Sequence, residues 1–119
     1  MVEHYYTVEE RVGQLKSLAS ALTELIPVAE LTPAAIHVDA YRQAQVTAMA
    51  LQQEGFTQGQ LSSLARAIPD VVDRHKDWMP PMRQSDAGRW VEEEWWGPLD
   101  EKLQRVLTLA RTLQTLGYY

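Results

Sequence analysis

The sequence predicts an all-α protein, a compact bundle of four main helices with one or two short ones. Three observations carry that expectation. Apolar residues recur at helical spacing over long stretches, hydroxyl residues stand at the starts of those stretches with Glu or Gln three positions on, and no run alternates apolar with polar residues as a half-buried strand would. The chain also has no asparagine, so Asn-Gly hairpin turns are absent. Its 119 residues are read as one domain, 1–119. A chain of this length buries roughly two-thirds of its unfolded surface, enough for a core without metal or disulfide.

The first helix is expected from Thr7, whose hydroxyl and the Glu10 carboxylate form a capping box. Val8, Val12, Leu15, Leu18, Ala19, Leu22, Leu25 and Ile26 then fall within an arc of about 140°. Pro27 is expected to end it, since a proline interrupts the helical ladder.

The second helix opens at "LTPAAI": Thr32 caps, Pro33 takes the first helical position, and Leu31 staples to Ile36. It should run to Glu54, with Gly55 as a left-handed stop. Ala40, Ala44 and Ala48, four apart beside Ile36, Tyr41 and Leu51, would let a neighbour approach closely and make this helix central. Val38, Val46 and Met49 lie off that face and suggest a second contact.

A third helix starts at Thr57, boxed with Gln60 and stapled from Phe56 to Leu61. Leu61, Leu64, Ala65 and Ile68 form its apolar edge. Helix is expected to resume from Asp70 to about Trp78, until "MPPM" stops it. Ser85 or Asp86 is read as the cap of a short helix through Trp96. The last helix begins at "GPLDE", and its apolar residues from Leu99 to Leu116 cover about 180°, width enough for more than one neighbour or a dimer.

Composition narrows the function. Without cysteine there is no disulfide, thiolate metal site or cysteine nucleophile. The N-terminal stretch has early acids and no apolar run, and no window has the ~20 apolar residues of a membrane span, so a soluble cytoplasmic protein without a membrane partner is expected. Net charge is −5, with no basic face that would favour nucleic acid. No nucleophile elbow, phosphate-binding glycine loop or HExxH pattern is present, so neither catalysis nor a cofactor is expected.

Each polar cluster has a plain structural explanation. In "DVVDRHKD", Asp73 and Asp77 share a helical face, but His75 does not join them, and Arg74 and Lys76 make the segment a salt-bridged surface rather than a metal site. Glu92, Glu93 and Glu94 are consecutive, so as helix they fan over about 200° instead of converging on one ion. His37 falls inside the arc of Ala40, Tyr41 and Ala44. It is read as a partly buried imidazole bonded to a tyrosine hydroxyl, with a ligand contact or pH switch at His37 and Tyr41 as the sharper possibility.

The segment 57–77 has the outline of a helix-turn-helix. With Gly55 at the turn, Leu51 and Glu54 occupy the wrong slots. With the turn at Arg66–Pro69, Leu61, Ser62, Ala65 and Val72 fit, and Arg66, Arg74 and Lys76 would meet nucleic acid, though Asp70, Asp73 and Asp77 would face the same polyanion.

The densest aromatic feature is "RWVEEEWWGP", preceded by "DWMPPM". All four tryptophans lie between Pro69 and Pro98, and one short helix could not bury Trp90, Trp95 and Trp96 together. Tryptophan and methionine are enriched in interface cores. The expected function is therefore protein–protein interaction through Trp78, Met79, Met82, Trp90, Trp95 and Trp96, by self-association or within a larger assembly. DNA binding through Arg66, Arg74 and Lys76 is the alternative.

Overall fold

The computed structural model describes residues 6–70 and 81–114. Helix accounts for 74% of it, which makes the protein predominantly all-α, with four helices packed against one another. The helix expected from Asp70 to Trp78 beyond its first residue, the contacts assigned to Arg74, Lys76, Trp78 and Met79, the histidine His75, and Leu116 lie outside the described residues.

The first helix, α1, spans Val8–Glu30. Its capping box forms as expected: the Thr7 amide donates to Glu10 Oε1 at 3.1 Å and the Glu10 amide to Thr7 Oγ1 at 3.0 Å. Pro27 does not end it but sits within its last turn. At that point only one ladder bond is lost, and the amides of Leu31 and Thr32 close the end onto the carbonyls of Val28 and Ala29. Its buried residues, including Leu15, Leu18, Ala21, Leu22, Leu25 and Ala29, span about 160°. So wide a stripe is pressed from two sides, by the second helix and by the last. The central helix is therefore α1, not the alanine-rich second one.

A 3-10 turn, Pro33–His37, precedes α2, Val38–Glu54. Thr32 caps that turn through its hydroxyl, which accepts from the Ala34 amide and donates to the Ala29 carbonyl, both at 3.0 Å. The expected staple is not buried: Leu31 and Ile36 are 86% and 83% exposed. Because Pro33–His37 winds as 3-10 rather than α-helix, the register between the cap and α2 differs from that of a continuous helix. Ala44, Ala48, Tyr41 and Leu51 are buried as expected, and so is Val38, which the helical arc had set aside. Gly55 ends α2 with φ 88° and ψ 170°, an extended positive-φ conformation rather than the left-handed helical one expected.

The third helix, α3, spans Gln58–Arg66 behind the Thr57–Gln60 capping box, with Leu61, Leu64 and Ala65 buried. It lies mainly on the last helix and only lightly on α2. The last helix, α4, spans Trp96–Gln114 and buries Trp96, Leu99, Leu103, Val106, Ala110 and Leu113. These fully buried residues cover about 100°, and half-buried Leu107 and Leu109 flank them. Two neighbours, α1 and α3, account for that width.

The short helix expected between Ser85 and Trp96 is instead a β-hairpin: β1, Met82–Gln84, pairs antiparallel with β2, Trp90–Glu92. The turn "SDAG" explains it. The Gly88 amide closes onto the Ser85 carbonyl at 2.9 Å, the Ser85 amide returns to the Arg89 carbonyl at 2.7 Å, and Gly88 takes φ 80°. Ser at the first turn position and Gly at the fourth, in a left-handed conformation, suit a bulged hairpin loop as well as a helix cap.

Among the described residues one charge is buried, beside the apolar core. Arg11, 5% exposed, donates to Gln14 Oε1 at 2.8 Å, to the Thr112 carbonyl at 2.9 Å and to Gln58 Oε1 at 2.9 Å. Gln58 in turn donates to the Leu113 carbonyl at 2.8 Å. Side chains of α1 and α3 thus bond carbonyls near the end of α4 and tie the three helices together. The guanidinium also stacks over the Tyr6 ring at 4.5 Å.

Candidate functional site

The site grows from two junctions held by backbone bonds. One is the α1-to-α2 corner capped by Thr32, which turns Leu31, Pro33 and Ile36 outward. The other joins the hairpin to α4: the Glu93 amide bonds the Pro81 carbonyl at 2.9 Å, the Trp96 amide bonds Glu93 at 3.1 Å, and the Leu99 amide bonds Trp95 at 3.3 Å. This second junction sets the two adjacent indoles edge to face, 6.1 Å apart and 84° between planes.

The tryptophans then divide by depth. Trp96 is 3% exposed and belongs to the core, so it is not offered to a partner in this conformation. Trp90 is 68% exposed on β2, where it shares a hairpin face with half-buried Met82. Trp95 is half-buried, packed against the core on one side and walling two cavities on the other. One, of about 300 Å³, is lined by Pro33, Ile36, His37, Pro81 and both indoles, among others. The second, of about 400 Å³, lies between Trp95, Pro98, Leu31 and the end of α1 at Pro27 and Val28. Leu31, Ile36 and Trp95 thus form one apolar corner.

His37 is half-buried and faces the smaller cavity, its ring 6.4 Å from that of Tyr41 and tilted by 58°. The Tyr41 hydroxyl, however, donates to the Pro69 carbonyl at 3.1 Å, not to an imidazole. Burial of the phenol, helped by the charge of Asp70, pushes its pKa up to about 12. Tyr41 is therefore a neutral structural donor that fastens the end of α3 to α2.

A concavity of about 710 Å³ lies in the seam between α2 and α3, where those helices scarcely touch. Ala40, Ala44, Gly59, Ser63 and Ala67 line it together with uncharged polar side chains, and no titratable group is among the described lining residues. Among the described residues no three His, Asp or Glu side chains group in a way that could hold a metal ion. Arg66 is exposed at the end of α3, its guanidinium 3.4 Å from the Ser63 hydroxyl. No described helix is long and apolar enough to cross a membrane.

Sequence reasoning had missed Leu31 and Ile36, having assigned them to each other. The available signal was two large aliphatics around a Thr-Pro cap, in a connection where polar residues are usual.

The described residues form a predominantly helical fold with an apolar corner on its surface. Comparison with known proteins finds no matching family model, no matching curated protein and no matching solved structure.

Proposed function

We propose that this chain is a non-catalytic helical module that docks another protein through the corner centred on Trp95. The observation that carries this reading is the exposure of Leu31 and Ile36, 86% and 83%, on either side of an indole that walls two cavities. Exposed aliphatic residues scattered singly are ordinary on protein surfaces. Here they converge with Pro27, Pro33 and Pro98, all exposed, on a half-buried tryptophan, and rigid apolar groups around an aromatic anchor are how interface hot spots are built. Val46 and Met49 on α2 are also exposed, Met49 beside the polar residues of a groove towards α1; neither lines the corner cavities, and the pair serves as a control.

The test compares proteins retained by the immobilised chain, by the Leu31→Ser/Ile36→Ser variant and by the Val46→Ser/Met49→Ser variant. A specific partner lost only with the first pair supports the corner. Retention that ignores Leu31 and Ile36 would remove it from consideration. Light scattering over a range of protein concentrations shows in parallel whether the partner is a second copy.

A further inference from the structure

Resting on the docking role proposed for this corner, we propose that its partner is a cationic chain: a segment with an apolar anchor flanked by lysine or arginine. The elements that build the corner, residues 27–42 and 81–102, hold eight acidic and four basic side chains, a net −4 of the chain's −5. The acids stand next to the apolar positions. Glu30 precedes Leu31, Glu92–Glu94 precede Trp95, and Asp100 and Glu101 follow closely on the exposed Pro98.

Two of the four bases are already engaged. Arg42 pairs with Glu30 and reaches Asp39 at 3.7 Å, and Arg83 pairs with Glu94 at 3.2 Å. Glu92, Glu93 and Glu101 have no ion pair among the described residues and leave the elements that build the corner negative. A rim of one sign steers a partner of the other sign and rejects its own. A second copy docking by the same corner would bring −4 against −4. Nucleic acid or an anionic lipid surface would meet the same repulsion. A basic partner places its aliphatic groups on Trp95, Leu31 and Ile36 and its charges against the glutamates.

The test uses two tryptophan-free amphipathic peptides, one of leucine and lysine and one with every lysine replaced by glutamate. Binding is read from the protein's own tryptophan emission at low and high salt. Variants at exposed positions, Leu31→Ser/Ile36→Ser and Glu92→Gln/Glu101→Gln, are checked for unchanged melting, with Val46→Ser/Met49→Ser as control. The lysine peptide is expected to bind, to weaken with salt, to lose about thirtyfold with the apolar pair and about fivefold with the acidic pair, and to be unaffected by the control. The glutamate peptide is expected to bind at least about tenfold more weakly.

Equal binding of both peptides, with loss only in Leu31→Ser/Ile36→Ser, overturns the cationic partner and leaves the docking role standing. Binding indifferent to Leu31 and Ile36, or no binding of the lysine peptide at low salt, overturns both. A dimer in sedimentation, or retention on phosphatidylcholine–phosphatidylserine vesicles, that disappears with Leu31→Ser/Ile36→Ser overturns the proposal in favour of a second copy or a lipid surface.

Discussion

Replacing Arg11 by methionine keeps most of the aliphatic stem and removes the guanidinium that joins α1, α3 and α4. The buried head donates to Gln14, Gln58 and the Thr112 carbonyl. Hydrogen bonds from a charged group contribute about 1.5–3 kcal/mol each, though such contributions are not additive. The cation also faces the negative end of α4, worth roughly 0.3–1 kcal/mol. Against these stands desolvation of the charge, which also pulls the Arg11 pKa below its ordinary value. The net loss expected for Arg11→Met is about 3 kcal/mol, because one Gln58 acceptor and one carbonyl of α4 are left without their donor. With a urea slope of about 2 kcal/mol per molar, the unfolding midpoint should fall by about 1.5 M. A double-mutant cycle with Gln58→Ala should show a coupling of about 1 kcal/mol or more, since the two side chains share one network. If Arg11→Met unfolds within about 0.5 kcal/mol of the parent, or proves more stable, desolvation outweighs the hydrogen bonds and Arg11 is not a clamp.

Trp96→Ala should cost about 3–5 kcal/mol in the same assay, whereas Trp90→Ala, on an exposed face, should stay within about 0.5 kcal/mol. Similar losses for both would refute the division of the indoles into core and surface. Tyr41 should titrate late, with its pKa near 12. Since folding raises this pKa from 10.0, the stability linked to the neutral phenol is fully present below pH 10 and is lost as pH rises towards 12. Tyrosinate absorbance followed through that window should show a late step that Tyr41→Phe abolishes, and the substitution should cost about 1 kcal/mol at neutral pH. Gly55→Ala should cost about 1–3 kcal/mol by urea unfolding, because φ 88° with ψ 170° is nearly closed to a residue with a Cβ. An unchanged midpoint would mean that the end of α2 relaxes without penalty.

Most of the fold was legible because it is written in local chemistry. The Thr7–Glu10 and Thr57–Gln60 boxes lie three residues apart, and leucines such as Leu15, Leu22, Leu103 and Leu113 repeat with the helical period. The hairpin was not read because Ser85 and Asp86 serve equally as turn and cap residues, and β1 and β2 are only three residues each. Pro27 misled because a proline removes only its own amide from the ladder, and here the helix carries on past that single gap to Glu30. Arg11 has one local acceptor, Gln14, but the two that make it a clamp lie 47 and 101 positions away, beyond any local pattern. Trp90 and Trp95 were found by residue type, but their depths depend on the hairpin and on how α4 meets α1. Leu31 and Ile36 were overlooked for the opposite reason: a plausible local pairing, the staple, explained them too early.

The position of α1 between α2 and α4 also sets the order in which the molecule can be made. A ribosome delivers α1 and α2 long before Trp96–Gln114, so a nascent chain can pair the first two helices while the other flank of α1 still waits for its partner. Until then the leucines that α4 will cover face solvent or a chaperone, and the closing contact from Arg11 to Thr112 must span 101 residues. Synthesis halted before α4 would therefore yield a chain with helical content but an open apolar flank, prone to aggregation and proteolysis. Folding to the native state is expected to be gated by the arrival of the last helix.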